Sequence, residues 1–258
     1  MRLYVVIEET VFFHPQFMED LIKQCSDKDV EIVGASLVTA AKKANNIERY
    51  MIEHFYYLKI SEMWKMGLEQ VKAILLSKVD KKHNYTVRSV LERYDIPYEE
   101  VRYNINTDEH IKYISATEPD VILSSQPLYF GKRLLELPKV CCINRHSGLL
   151  PRNGGLWPGF QAVRKGETET GVSVHTMEKT IDAGIVLSQV KVKINPGETV
   201  WNIYKECFSK SGDAVMDALS KIRRGDYTPV DNGFIREYYS FPTKEHWKEF
   251  RRRGGRYV

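Results

Sequence analysis

Short apolar runs and helical stripes alternate along this chain. Residues 2–8 (RLYVVIE) form a β-branched and aromatic run of strand length. A polar turn containing Pro15 leads into 16–25, where Phe17, Leu21 and Ile22 keep helical spacing. A second strand is predicted at 30–38 (VEIVGASLV). Strand, helix and strand within about forty residues predict a parallel βαβ unit.

Residues 44–79 read differently. Ile47, Tyr50, Met51, His54, Phe55, Leu58, Met63, Met66, Val71, Ile74 and Leu75 recur mostly at steps of three and four, with no proline. One long helix or a helical hairpin is predicted, its apolar stripe buried against the sheet; a lid or a subunit contact is the sharper alternative. Beyond it the pattern predicts a helix at 85–93, a strand at 98–101, a helix at 108–116 and a strand at 121–124. Residues 134–138 lead to a strand at 140–144. Two strands at 172–176 and 185–192 and a last helix at 198–223 follow, and 225–258 is polar and aromatic. No internal repeat is present. The outcome is an α/β fold with a mostly parallel sheet flanked by helices, a helical insert and a short C-terminal extension.

Composition narrows the class. With 258 residues, 43% of them hydrophobic and 28% charged, the chain can bury a core and is not disordered as a whole. The net charge of +4 is too small to argue for nucleic acid or an anionic membrane, but suits a phosphorylated substrate. Cys25, Cys141, Cys142 and Cys207 form no CxxC pair, and the adjacent Cys141–Cys142 in an apolar run reads as buried thiols. Glu8 and Glu9 interrupt the opening apolar run, so no signal peptide is expected, and no run is long enough for a transmembrane helix. A reducing, cytoplasmic setting without membrane insertion follows. The seven histidines include no HExxH spacing, so no metal is expected.

The chemistry concentrates between 141 and 189. Asn144 and His146 stand two apart at the end of an apolar strand, so both point to one face. Ligands of parallel sheets bind beyond the carboxyl ends of the strands. An amide and an imidazole converging there can serve as oxyanion donor and proton acceptor. Leu149-Leu150-Pro151 fixes the chain leaving the strand, and Gly154-Gly155 allow an unusual backbone path. Asp182 lies in the turn between two predicted strands, where a carboxylate can reach the imidazole.

This block resembles the formyltransferases that use 10-formyltetrahydrofolate: glycinamide ribonucleotide transformylases, methionyl-tRNA formyltransferases and sugar N-formyltransferases. The family pattern reads here as Asn144, His146, Leu149-Leu150-Pro151, Gly155, Thr170-Gly171-Val172, His175 and Asp182-Ala183-Gly184, over roughly 118–215. Asn144 and Asp182 are separated by 38 positions, which also fits. The resemblance implies a Rossmann-like catalytic domain over 1–224, with the insert at about 44–79 and the extension over 225–258. It implies direct attack of a substrate amine on the formyl carbon of 10-formyltetrahydrofolate. Asn144 would stabilise charge on oxygen, His146 would accept the proton, and Asp182 would orient His146. The folate would lie between Gln126, Leu128 and Tyr129 on one side and Ile181, Ala183 and Gly184 on the other. Two departures bear on substrate contacts. Ser147-Gly148 stands where the family usually has serine directly before Leu-Leu-Pro, and Gly154 replaces an arginine or lysine.

For the acceptor, Glu9, Thr10 and Phe13 after the first strand and Trp157 are the candidate contacts. His14 reads as a turn residue near a helix start, and His175 faces either the pocket or solvent. Arg251-Arg252-Arg253 and Arg256 read as a solvated basic tail. Methionyl-tRNA enzymes of this family carry a C-terminal β-barrel, and the 37 residues after Lys221 are too few for one. Glycinamide ribonucleotide enzymes have a glycine-rich loop after the first strand, whereas this chain has Glu8-Glu9-Thr10-Val11-Phe12-Phe13. What is left is a small-molecule amine on a nucleotide-linked sugar, as in bacterial polysaccharide synthesis, and no nucleic acid. The alternatives are a formyl-folate hydrolase, a non-catalytic folate-binding protein, and a tRNA-directed enzyme lacking the usual barrel. The insert is open to a role as lid, homodimer contact or docking surface.

Overall fold

A computed structural model describes residues 1–40, 58–79 and 85–258. Seven strands form the main sheet: β1 (Arg2–Glu8), β2 (Glu31–Ala40), β3 (Tyr98–Arg102), β4 (Val121–Ser125), β5 (Cys141–His146), β7 (Glu169–Thr176) and β8 (Val186–Lys193). Their order is β3-β2-β1-β4-β5-β7-β8. The pairs from β3 to β5 are parallel, whereas β7 joins β5 and β8 in antiparallel register. β1 and β4 lie mid-sheet and are covered on both faces, which is why they read as continuous apolar runs: Leu3 to Ile7 are fully buried.

One face is covered by α1 (Phe13–Ser26), α7 (Val200–Ser209) and α8 (Ser211–Arg223), which pack Phe17, Leu21, Cys207 and Val215 against Val5, Leu123 and Ile143. The other face packs Val6, Ile122 and Cys142 against Ile105, Ile114 and Phe130, with α4 (Asp108–Ala116) and the short α5 (Lys132–Leu135) alongside. α3 (Val87–Arg93) is capped by Thr86, whose hydroxyl accepts from the Ser89 amide. α1 begins three residues before the predicted 16–25, because Pro15 falls in its first turn, where no amide proton is needed. The single helix predicted at 198–223 is two. Ser209, Ser211 and Gly212 are weaker helix formers, and the Ser211 hydroxyl turns back to the Cys207 carbonyl at 2.8 Å.

The insert and the extension both depart from expectation. Residues 44–57 of the predicted insert lie outside the described residues; α2 (Ile60–Val79) lies within them. Its apolar stripe is not buried against the sheet, whose faces are already covered by other helices: Trp64 is 67% exposed, and Ile60, Leu68, Val71 and Leu75 are also exposed. Its first turns are anchored, where Leu58, Met63 and Met66 join a cluster around Phe160, Trp247 and Phe250. Of the arginines read as a solvated basic tail, Arg252, Arg253 and Arg256 are exposed, but the segment around them is packed and Arg251 is held. β9 (Tyr238–Tyr239) pairs in parallel with β6 (Gly154–Gly155), and α9 (Lys244–Arg252) buries Trp247 and Phe250 against α6 (Pro158–Lys165). Arg251 is clamped to the buried Glu62 carboxylate of α2, and Arg256 donates to the Gly197 carbonyl at 2.5 Å.

Candidate active site

β1 and β4 are neighbours at the point where strand order reverses, and a crevice opens there beyond their carboxyl ends. It holds a cavity of about 420 Å³, bounded by Glu8, the loop Ser124–Phe130, the end of β5, His175, the turn Thr180–Asp182 and Tyr238. Tyr129, Ile181 and Tyr238 are half exposed at its rim.

Asn144, His146 and Asp182, the expected trio, all line this cavity. Strand period two brings Asn144 and His146 to one face of β5, and antiparallel pairing sets His175 of β7 opposite Asn144. The Asn144 amide Nδ2 donates to His175 Nε2 at 3.2 Å. The roles are fixed because His175 Nδ1 lies 2.8 Å from the Thr176 carbonyl, which can only accept. By the same logic His146 Nε2 carries a proton, donated to the Asn153 carbonyl at 3.0 Å. That leaves His146 Nδ1 as the basic atom, 3.8 Å from Asp182 Oδ2. Asp182 Oδ1 stands 3.5 Å from His175 Nε2, and its Oδ2 accepts from the Gly155 amide at 2.7 Å. His175 is thus a member of the site that strand parity alone left undecided.

The electrostatics follow from burial and contact. Burial pushes the His146 pKa below its ordinary value, and the Asp182 carboxylate offsets this only in part. For Asp182, burial acts upward. The neighbouring His175 and His146 rings and the Gly155 amide overcome it and hold the carboxyl well below its usual range. The site therefore presents a neutral imidazole beside a fixed carboxylate.

Glycines shape the surroundings. A side chain at Gly148 would place Cβ 3.0 Å from His146 Nε2, which accounts for glycine where the family usually has serine. At Gly154 it would stand 2.9 Å from the Glu237 carbonyl, so the incoming extension excludes the usual basic residue.

Of the folate contacts expected from sequence, Gln126, Leu128, Tyr129 and Ile181 line the cavity, while Ala183 and Gly184 do not. Gly184 is instead pressed onto β7, with the Thr176 carbonyl 1.7 Å from where a Cβ would sit. The Gln126 side chain holds both the amide and the carbonyl of Leu128, which closes that loop. Ser125 is among the residues lining the cavity, and its buried hydroxyl has no hydrogen-bond partner among the described residues. These residues fit a folate donor.

The four expected acceptor contacts do not line the cavity. The Glu9 carboxylate accepts from the Arg88 amide at 3.0 Å, and the Thr10 hydroxyl pairs with His14 Nδ1 at 3.3 Å. Phe13 packs edge-on against Trp201 at 4.9 Å, and Trp157 lies among Phe160, Trp247 and Tyr257. Aromatic packing with segments distant in sequence draws them away. In their place the chain offers Glu8 and His14.

His14 is enclosed, and burial, with the charge of Arg145 second, pushes its pKa down to about 3. The unfolded chain takes up a proton near pH 6.5 that the native protein refuses. Stability contributed by neutral His14 is therefore present above about pH 6.5 and lost as pH falls toward 3, at about 1 kcal/mol per pH unit. Burial of neutral His146 acts with the same sign. Urea unfolding at stepped pH is expected to show a shallower acid slope in His14→Gln than in the parent; equal slopes would exclude His14 as the source.

No helix among the described residues is long and apolar enough to cross a membrane, and no three described His, Cys, Asp or Glu side chains group as metal ligands. The four cysteines are free.

Comparison with known proteins gives the family and the fold. The formyl transferase family model matches residues 6–219. The methionyl-tRNA formyltransferase of Thermotoga maritima is 29% identical over 155 residues, 60% of this chain and 49% of that protein. That of Halothermothrix orenii is 35% identical over 125 residues, 47% of this chain and 39% of its own. The chain thus spans about half the length, or less, of these curated relatives. In fold it is similar to a sugar N-formyltransferase from Shewanella sp. (TM-score 0.59, 16% identity, covering 98% of this chain and 87% of the other). It is also similar to glycinamide ribonucleotide transformylase 1 from Symbiobacterium toebii (TM-score 0.60, 14% identity, 93% and 94%). The chain belongs to the formyl transferase family, whose members take a one-carbon unit from 10-formyltetrahydrofolate.

Proposed function

We propose that this protein transfers the formyl group of 10-formyltetrahydrofolate to a primary amine, with the amino group of a nucleotide-linked sugar as the acceptor. The observation that carries the reading is the convergence of Asn144, His146, His175 and Asp182 on one cavity. Bound 10-formyltetrahydrofolate supplies an electrophilic formyl carbon.

The remaining steps fall to the chain's own residues. Asn144, its amide oriented by His175, has its second N–H for the formyl oxygen as negative charge builds there. His146 Nδ1 takes the proton of the attacking amine, because Nε2 is committed to Asn153. Asp182 then faces the imidazolium so formed and favours it over the neutral ring, and His146 passes the proton on to N10 of the donor as the bond between N10 and the formyl carbon breaks. The Gly155 amide holds Asp182 in place for this. Tyr129 and Tyr238 at the rim offer aromatic faces to the flat parts of donor and acceptor. The sugar acceptor draws on structural neighbours named as a sugar N-formyltransferase and a sugar 3N-formyl transferase.

The test is donor consumption, followed by absorbance, with a panel of nucleotide-linked amino sugars. The reading expects turnover that depends on one of these amines, and a product heavier by one formyl group. Donor loss at the same rate without any amine would make the protein a hydrolase. Turnover with none of the sugars but with methionyl-tRNA would overturn the sugar acceptor alone.

A further inference from the structure

The middle residue of the Asn-x-His motif carries a second message. Arg145 lies between the two catalytic candidates, so strand alternation sends its side chain to the opposite face of β5, toward α1 and α7. It is 7% exposed, and what remains accessible belongs to the wall of the same cavity. The guanidinium lies over the Phe208 ring at 3.8 Å, donates from Nε to the Ser211 hydroxyl at 3.1 Å and from Nη2 to the Ser147 hydroxyl. Nη1 has no hydrogen-bond partner among the described residues.

No described carboxylate stands within ion-pairing distance of Arg145; its polar neighbours are hydroxyls, the Cys207 thiol and the Tyr204 phenol. His14 on the same side of the cavity is held neutral by burial. A buried cation without a counter-charge is costly, and a buried Arg is normally paired. Its fork is preorganised for two oxygens of one anion, and the ring and two hydroxyls hold it with one edge open to the cavity.

We propose that Arg145 is a specificity-determining residue that binds an oxyanion, phosphate or carboxylate, carried by the acceptor amine, on the α1–α7 side of the cavity. This rests on the formyl-transfer reading for the identity of the ligand, but not for the existence of the anion site. The donor and the acceptor then approach the reacting centre from opposite faces of the sheet edge: the folate past Gln126 and Ile181, the acceptor past Arg145 and Phe208. Ser147 and Gly148, the departure from the family pattern, accompany this arginine, since Ser147 steadies Nη2 while Gly148 keeps the His146 ring uncrowded.

Titration of the full chain with inorganic phosphate, and separately with acetate, followed by calorimetry, tests the site. Saturable binding of at least one anion is expected. Arg145→Met, which keeps the stem on Phe208, should weaken it roughly 10–100-fold, the range for a charge-assisted contact. Arg145→Lys should retain part of it. Phosphate-selective binding assigns a phosphorylated acceptor, and acetate-selective binding a carboxylated one. Arg145→Met should be no less stable to urea than the parent, since it removes an unpaired buried charge. No saturable binding of either anion by the parent, or equal binding by the parent and both variants, overturns the proposal. Anion binding through Arg145 with no amine-dependent donor turnover would leave the site standing and remove the formyl-transfer reading; turnover without anion binding would do the reverse.

Discussion

His146→Ala is expected to lower formyl-transfer turnover by about 10²–10⁴-fold, and Asn144→Ala by about 10²–10³-fold, with far-ultraviolet circular dichroism unchanged. The second imidazole of the site is not placed to replace that of His146. His175 Nδ1 is committed to the Thr176 carbonyl and its Nε2 to the Asn144 amide. Removing Asn144 takes away the donor aimed at the formyl oxygen and frees His175 at once. Because His146 is neutral above a depressed pKa, the acid limb of the parent's kcat/KM profile should fall below the ordinary histidine value. Initial rates at saturating donor, measured across pH, check all three. Turnover within about threefold of the parent in either variant would remove that residue from the reaction.

The second large effect is expected at a residue that touches no ligand. Gly184→Ala would bring a methyl group to 1.7 Å from the Thr176 carbonyl, a contact with backbone that no side-chain rotation relieves. The turn that carries Asp182 must then lift from β7. Asp182 is already in a left-handed conformation, at φ 51°, and reaches both imidazoles only from its present place. A shift of about 1 Å in a catalytic group can lower a rate about 10²-fold. Turnover should fall on that scale while donor binding, in so far as it rests on the proposed Gln126–Tyr129 loop, changes much less. A variant with unaltered turnover would show that the position of Asp182 does not limit the reaction.

These expectations draw unequally on sequence and structure. The strand ending in Asn144 and His146 is legible because an apolar run with period two has only one way to face the crevice. Asp182 is legible through its place in a family-like block, not through any periodic signal. His175 stays between pocket and solvent on parity alone, because alternation gives its face but not what that face meets, and β7 is in fact buried on both faces. The loop after β1 misled for a different reason: Phe13 is drawn to Trp201 and Phe208, nearly two hundred positions away, and no local pattern reports such a pairing. The C-terminal extension was unreadable in the same way. Two-residue strands such as Tyr238–Tyr239 have no periodicity, and the glycines that receive them look like loop residues until the neighbouring carbonyls are seen. In α2 the helical period was real, but period alone does not say what an apolar face meets.

The chemistry as a whole stands on one fate, that of a single carbon atom. Donor labelled with carbon-13 at the formyl position, incubated with the full chain and its acceptor and followed by nuclear magnetic resonance, reports where that carbon goes. The account predicts the label in a new amide on the acceptor, with little free formate. Label recovered as formate at the same rate with or without the amine would contradict it.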